Sequence, residues 1–241
     1  MFTYAQIFEN KQKMLVVTAH PDDSIVFFGA LIHQLVSDKK DVYVLLVTNG
    51  ARGSRENTVS ESELARTRLA EETAALKVLG VSEDNIFCLG HADGEIESNM
   101  DLIGEISYYI RSFKVDLVCT HEPSSQYLQT YDKAGYFVQH RDHRKVGEAT
   151  IDAVYPFSRD RSFFTQHYTE GIAAHSVYDL LLTDEKDCNF DFDCTSLQDV
   201  KRQALSEHKS QFDADRVQDV LDSFKFEDKY LEKFHYVHLK W

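Results

Sequence analysis

The 241-residue chain has little that would interrupt it: only three prolines and ten glycines. That scarcity excludes a Pro/Gly-rich linker or a low-complexity arm, and favours one compact domain over residues 1–241. Positive charge is also short. The chain has 26 Lys and Arg against 40 Asp and Glu, a formal charge of −14. A surface this acidic argues against nonspecific binding to nucleic acid or an anionic membrane. No apolar run exceeds strand length, so no membrane-spanning segment is expected. The opening "MFTYAQIFENKQKM" lacks a signal-peptide core, and a cytoplasmic location follows as the expectation. Cysteine is sparse as well: Cys88, Cys119, Cys188 and Cys194 show no CxxC spacing. Cys88 and Cys119 sit in apolar runs and read as reduced core residues.

What is present is ample apolar content, 43% hydrophobic and 12% aromatic, in a regular alternation. "KMLVVTAH" and "DVYVLLVTNG" read as strands buried on both faces, and "NIFCLG" and "VDLVCTHEP" as a third and a fourth strand. Between them lie helical patterns. "SIVFFGALIHQLVSD" has Asp23 or Ser24 as its expected cap, and "ESELARTRLAEETAALKVLG" opens on Ser60 and Glu63 and stops at Gly80. "MDLIGEISYYIRSF" is the third. This order predicts an α/β, Rossmann-like fold: a mostly parallel sheet with helices on both faces. Residues 121–140 look irregular, "HRKVGEATIDAV" helical and "SVYDLLLT" a strand. The core is expected at about 13–185, with a helical C-terminal segment at about 196–241. Ligands of such sheets bind beyond the carboxyl ends of the strands, where "AHPDD", "TNGARG", "GHADGE" and "THEP" all fall.

"AHPDD" carries the chemistry. Pro21 restricts the turn, so His20 and Asp23 can point the same way as a ligand pair for zinc or another divalent metal. Asp22 beside them is free to act as a general base on an activated water. A second cluster, "QHRDHRK", supplies His140, Asp142 and His143. His143 serves as a third ligand. A two-histidine, one-aspartate set leaves room for water, as catalytic zinc sites do. His140 is expected outside the ligand set, with Asp142 hydrogen-bonded to it and holding it partly protonated.

The two motifs in this order, with "RLAEETAALKVLG", "LGHADGEI" and "KRQALSEHKSQF", resemble the LmbE-like/PIG-L family of zinc-dependent de-N-acetylases over roughly residues 13–210. The resemblance implies zinc on His20, Asp23 and His143, with iron(II) or cobalt(II) as other ions the same ligands accept. It implies Asp22 as general base. His140 would stabilise the oxyanion and protonate the leaving amine, tuned by Asp142. Arg68 and Asp93 match positions that hold sugar hydroxyls. Without the resemblance, Arg68 reads as a solvated helix charge and Asp93 as part of an Asp-Gly turn. Ser24 replaces the glutamate of the usual AHPDDE, and Arg141 stands where proline is common. Tyr136 and Tyr131 lie upstream, where a helper tyrosine sometimes occurs. His121 reads as the partner in a loop hydrogen bond, with ligand contact as the other reading, His208 as a helix–core contact, His91 as either a support of the ligands or merely exposed, and the aromatics of "FSRDRSFFTQHY" as packing.

The expected activity is therefore a metal-dependent hydrolase that removes the acetyl group from an N-acetylglucosamine-type sugar or glycoconjugate. The expected partner is that small molecule, with oligomeric state left open. Two alternatives stand beside it: a metallohydrolase of another amide or ester, and a sugar-binding protein that has lost catalysis. A dinucleotide-binding protein is disfavoured, because "GARGSR" is not GxGxxG.

Overall fold

The computed structural model describes residues 1–54, 59–129, 135–183 and 187–240. A short α1 (Tyr4–Phe8) precedes the expected alternation: β1 (Lys13–Thr18), α2 (Asp23–Ser37), β2 (Asp41–Thr48), α3 (Glu61–Val78), β3 (Ile86–His91), α4 (Met100–Phe113) and β4 (Leu117–His121). The region read as irregular holds a small antiparallel ribbon, β5 (Tyr127–Gln129) and β6 (Tyr136–Val138). Then follow α5 (Arg141–Asp152), α6 (Gln166–Thr169), β7 (Asp179–Thr183), β8 (Phe190–Asp193), α7 (Gln198–Leu205), α8 (Ala214–Asp222), β9 (Lys225–Phe226) and β10 (Lys229–His238). Among the described residues no helix is long and apolar enough to cross a membrane.

The main sheet runs β3-β2-β1-β4-β7-β10-β8, with β9 paired to β10. Strands β3 through β7 are parallel, and β10 is antiparallel to both its neighbours. Side chains alternate between two cores. Met14 and Val16 face α2, α3 and α7, while Leu15 and Val17 face α4 and α5. Burial on both faces explains the continuous apolar runs. The order reverses between β1 and β4, and a crevice opens at their carboxyl ends.

Three expectations need correction. The segment 196–241 begins with α7 and α8 but ends on a ten-residue strand, β10, set inside the sheet. Neither Asp23 nor Ser24 is the N-cap of α2. Asp22 holds that position and its side chain makes no capping bond. Cys88 is exposed, because β3 is the sheet edge; all four cysteines are free.

Candidate active site

The site forms where the β1–α2 turn meets the N-terminus of α5. Asp23 folds back so that its Oδ2 accepts the backbone N–H of His20 at 2.8 Å, which locks the turn. The same carboxylate reaches two imidazoles. Its Oδ1 lies 3.1 Å from His143 Nε2, and its Oδ2 lies 3.3 Å from His20 Nδ1. Two donors on one tetrahedral ion, each about 2.0–2.1 Å from it, sit about 3.3 Å apart, so this spacing suits a shared cation. Ring nitrogens of His20, His140 and His143 also lie within 4.8 Å of one another.

Behind His20 stand two more carboxylates. Asp93 Oδ1 and Asp142 Oδ2 lie 3.3 and 3.4 Å from His20 Nε2. Each is fixed by a backbone amide: Arg52 N–H donates to Asp93 at 2.9 Å, and Gly94 N–H to Asp142 at 2.7 Å. With Nε2 facing these acids, Nδ1 is left to face Asp23. That is the carboxylate–histidine arrangement that orients a metal ligand. Burial disfavours an imidazolium at His20. The bonds to Asp142, Asp23 and Asp93 outweigh it and raise its pKa well above the ordinary value. Burial likewise opposes ionised Asp23, but the charge of His143 and the bonds to His121, His143 and His20 hold its carboxyl well below the usual range. The surroundings therefore call for a cation among these side chains.

Asp22 belongs to none of the three donor clusters that could hold a metal ion among the described residues. It lines the cavity in front of them. Burial and the charge of Asp23 raise its carboxyl to about 6, with Arg68, His208 and His20 pulling the other way. Arg68 Nη2 donates to Asp22 at 3.0 Å, and the guanidinium also bonds the carbonyls of Pro21 and Gly50. Gly50 and Gly53 are glycine for this reason: a Cβ on either would fall within 2.6 Å of Arg68 Nη1.

Arg68 and Asp93 are 3% and 6% exposed. Arg68 bonds the turn at Pro21, Asp22 and Gly50, and Asp93 accepts the Arg52 N–H and faces His20. Asp142 does not hold His140 by its carboxylate. Its backbone N–H donates to His140 Nδ1 at 3.2 Å, which makes His140 the N-cap of α5 and leaves the ring proton on Nε2. Burial, with the charges of His20 and His143, lowers the His140 pKa, while the charges of Asp142 and Asp23 pull the other way.

His121 forms the loop bond expected of it. Its Nε2 accepts the Ala19 N–H at 3.2 Å, and its ring stacks on His143 at 4.1 Å. Burial, reinforced by His143, pushes its pKa down to about 4. His91 pairs with Glu105, away from the site. Phe157, Phe163 and Phe164 pack on one another around Arg111. Tyr136 is exposed on β6, and Tyr131 lies outside the described residues. Arg141 opens α5 and bonds Ile96 O and Glu97.

Glu72 was not singled out by the sequence. Fully buried on α3, it accepts the Asp22 N–H at 2.9 Å and the Ser24 hydroxyl, and faces His208 Nε2 at 3.2 Å. Ser24, in place of the motif's glutamate, thus leans on a carboxylate from another helix. The one available signal was the buried face of "RLAEETAALKVLG".

In front of the cluster lies a cavity of about 570 Å³. Asp22, Asp23, His140 and His143 line one end. Phe27, Leu128, Phe137, Val138, Phe212 and Phe224 supply apolar walls.

Residues 15–154 match the family PIG-L: GlcNAc-PI de-N-acetylase. A diacetylchitobiose deacetylase of Thermococcus kodakarensis is 30% identical over 89% of this chain and 75% of its own length. A 1D-myo-inositol 2-acetamido-2-deoxy-alpha-D-glucopyranoside deacetylase of Rhodococcus jostii is 27% identical over 60% of this chain, which spans about half (54%) of that relative. The solved N,N'-diacetylchitobiose deacetylase from Pyrococcus horikoshii, complexed with its inhibitor MPG, has a TM-score of 0.83 at 25% identity, covering 96% of this chain and 85% of that one. With its two metal-type motifs brought onto one rim and the family match spanning both, the chain belongs to the PIG-L family.

Proposed function

We propose that the protein is a metal-dependent de-N-acetylase that hydrolyses the acetamide of an N-acetylglucosamine-type sugar to a free amine and acetate. The observation that carries this reading is a half-buried carboxylate, Asp22, outside the donor clusters and beside Asp23, which lies 3.3 Å from His20 and 3.1 Å from His143, with Asp22, Asp23 and His143 facing a ligand-sized cavity. His20, Asp23 and His143 would hold the ion, and zinc is the ion their chemistry suits, although iron(II) and cobalt(II) take similar donors. Bound there, a divalent ion supplies Lewis acidity and makes water a nucleophile near neutral pH.

The chain's own residues do the rest. Asp22, held by Arg68, takes a proton from the attacking water. With its carboxyl raised to about 6, it can return that proton to the departing nitrogen. His140 donates its Nε2–H to the acetamide oxygen as negative charge develops there. Asp93 and Asp142 keep His20 in the orientation its role requires. The four free cysteines fit a reducing, cytoplasmic compartment.

The test is amine release from GlcNAc, N,N'-diacetylchitobiose and GlcNAc-inositol, with metal content measured in parallel. Asp22→Ala should keep its metal and lose about 10²–10⁴-fold in kcat, the usual worth of a general base. Wild-type rates in that variant would remove Asp22 from the reaction. Loss of metal in it would move Asp22 into the donor set.

A further inference from the structure

One wall of the cavity comes from outside the segment the family match covers, residues 15–154. It is built by α8 and β10. Arg216, Asp219 and Val220 stand at i, i+3 and i+4 on α8, so they share the face turned to the cavity. Lys233 joins them from β10, next to Phe234, which pairs with Thr183 at the carboxyl end of β7. Its ammonium lies 4.5 Å over the Phe226 ring, so it is held above an aromatic face.

The charge of this wall runs against that of the chain. The formal charge of the protein is −14, yet the wall carries two cations against one acid, Asp219. The cavity's other carboxylates, Asp22 and Asp23, are committed to the reacting end. Apolar side chains, Phe224 and Val220 among them, share the wall with the cations. A substrate with its acetamide at His140 and Asp22 would therefore send its aglycone across apolar surface toward Arg216 and Lys233.

We propose that Arg216 and Lys233 form a subsite for an anionic group, a carboxylate or a phosphate, carried by the aglycone of the amino sugar. This rests on the deacetylase reading above. The subsite sets preference among substrates and takes no part in bond breaking.

Three matched aryl glycosides of GlcNAc test it, with a para carboxamide, carboxylate or phosphate. At low ionic strength the anionic glycosides should exceed the carboxamide in kcat/KM by about fivefold or more, since each partly exposed ion pair contributes up to about 1 kcal/mol. The larger of the two ratios identifies the anion. The preference should shrink between about 0.01 and 0.5 M salt as the Debye length contracts. In the Arg216→Gln/Lys233→Gln protein the ratio should collapse toward one, with the carboxamide rate as internal reference for folding. No anion preference at low salt, or a preference that survives in the double variant, overturns the subsite. Release of amine from none of the three overturns the deacetylase reading, and this inference with it.

Discussion

Asp22 sits at φ 109° and ψ −31°, a conformation that costs a non-glycine residue about 1–3 kcal/mol. Its neighbours hold it there. Glu72 takes its N–H, and Arg68 takes its carboxylate. Glu72 is held in turn by Ser24 and His208. Burial alone would lower the His208 pKa; Glu72 outweighs it, followed by the charges of Asp22 and Glu71, and the net shift is upward. A pKa raised above the unfolded value, about 6.5, means stability that is fully present below that pH. It is lost as pH rises through the folded value. The urea midpoint of the wild type should therefore exceed that of His208→Gln most at pH 5.5–6, with the gap narrowing toward pH 8.5. A gap that widens with pH would mean the pair is not charged as described. His20, Asp22, Asp23 and His143 were legible in the sequence because they crowd two short motifs. Glu72 was not, because it meets Asp22 only after α3 has packed on α2; His208, read as structural, is buried against Glu72 just after α7.

Among the elements, α2 matters most, since it carries Asp23 on its first turn. Its middle is anchored from the C-terminal segment. Glu232 of β10 accepts the amides of Ala30 and Leu31, each at 2.9 Å. Lys201 of α7 donates to Val26 O at 2.8 Å and pairs with Glu232 at 2.7 Å. Both side chains are fully buried. Removing one partner of a buried pair costs about 3–5 kcal/mol, because the other is left uncompensated. Glu232→Ala should reach the top of that range in urea unfolding, for it strands an ammonium and two amides. Lys201→Met should cost less, since the carboxylate keeps two donors. Equal, small losses would show that the pair does not anchor α2. The alternation from β1 to β4 was legible because β1, β2 and β4, buried on both faces, are apolar nearly throughout, and only the edge strand β3 is half exposed. β10 was read as a helical tail for the opposite reason. "KYLEKFHYVH" carries Glu232 at an inward position, and that charge hides its pattern.

For the molecule as a whole, the sheet and the site are one unit. Both cores abut the strands whose carboxyl ends carry His20 and His121, and β10 lies inside the sheet between β7 and β8. The site also concentrates charge: Asp23, Asp93 and Asp142 surround His20, all buried. A divalent ion among them would bind the folded chain and not the unfolded one, so it should raise stability by RT ln(1 + [L]/Kd). With zinc at a hundred times its Kd that is about 2.7 kcal/mol. For a chain of this size it corresponds to a rise in Tm of about 5–10 °C. Thermal unfolding with chelator and with zinc should each show one transition, displaced by that amount. Substituting His143 by Ala should abolish the displacement, while Asp22→Ala should keep it. Two transitions would divide the chain into separate units, against the single domain the sequence implied. A displacement that survives His143→Ala would place the ion somewhere other than the donor set proposed for it.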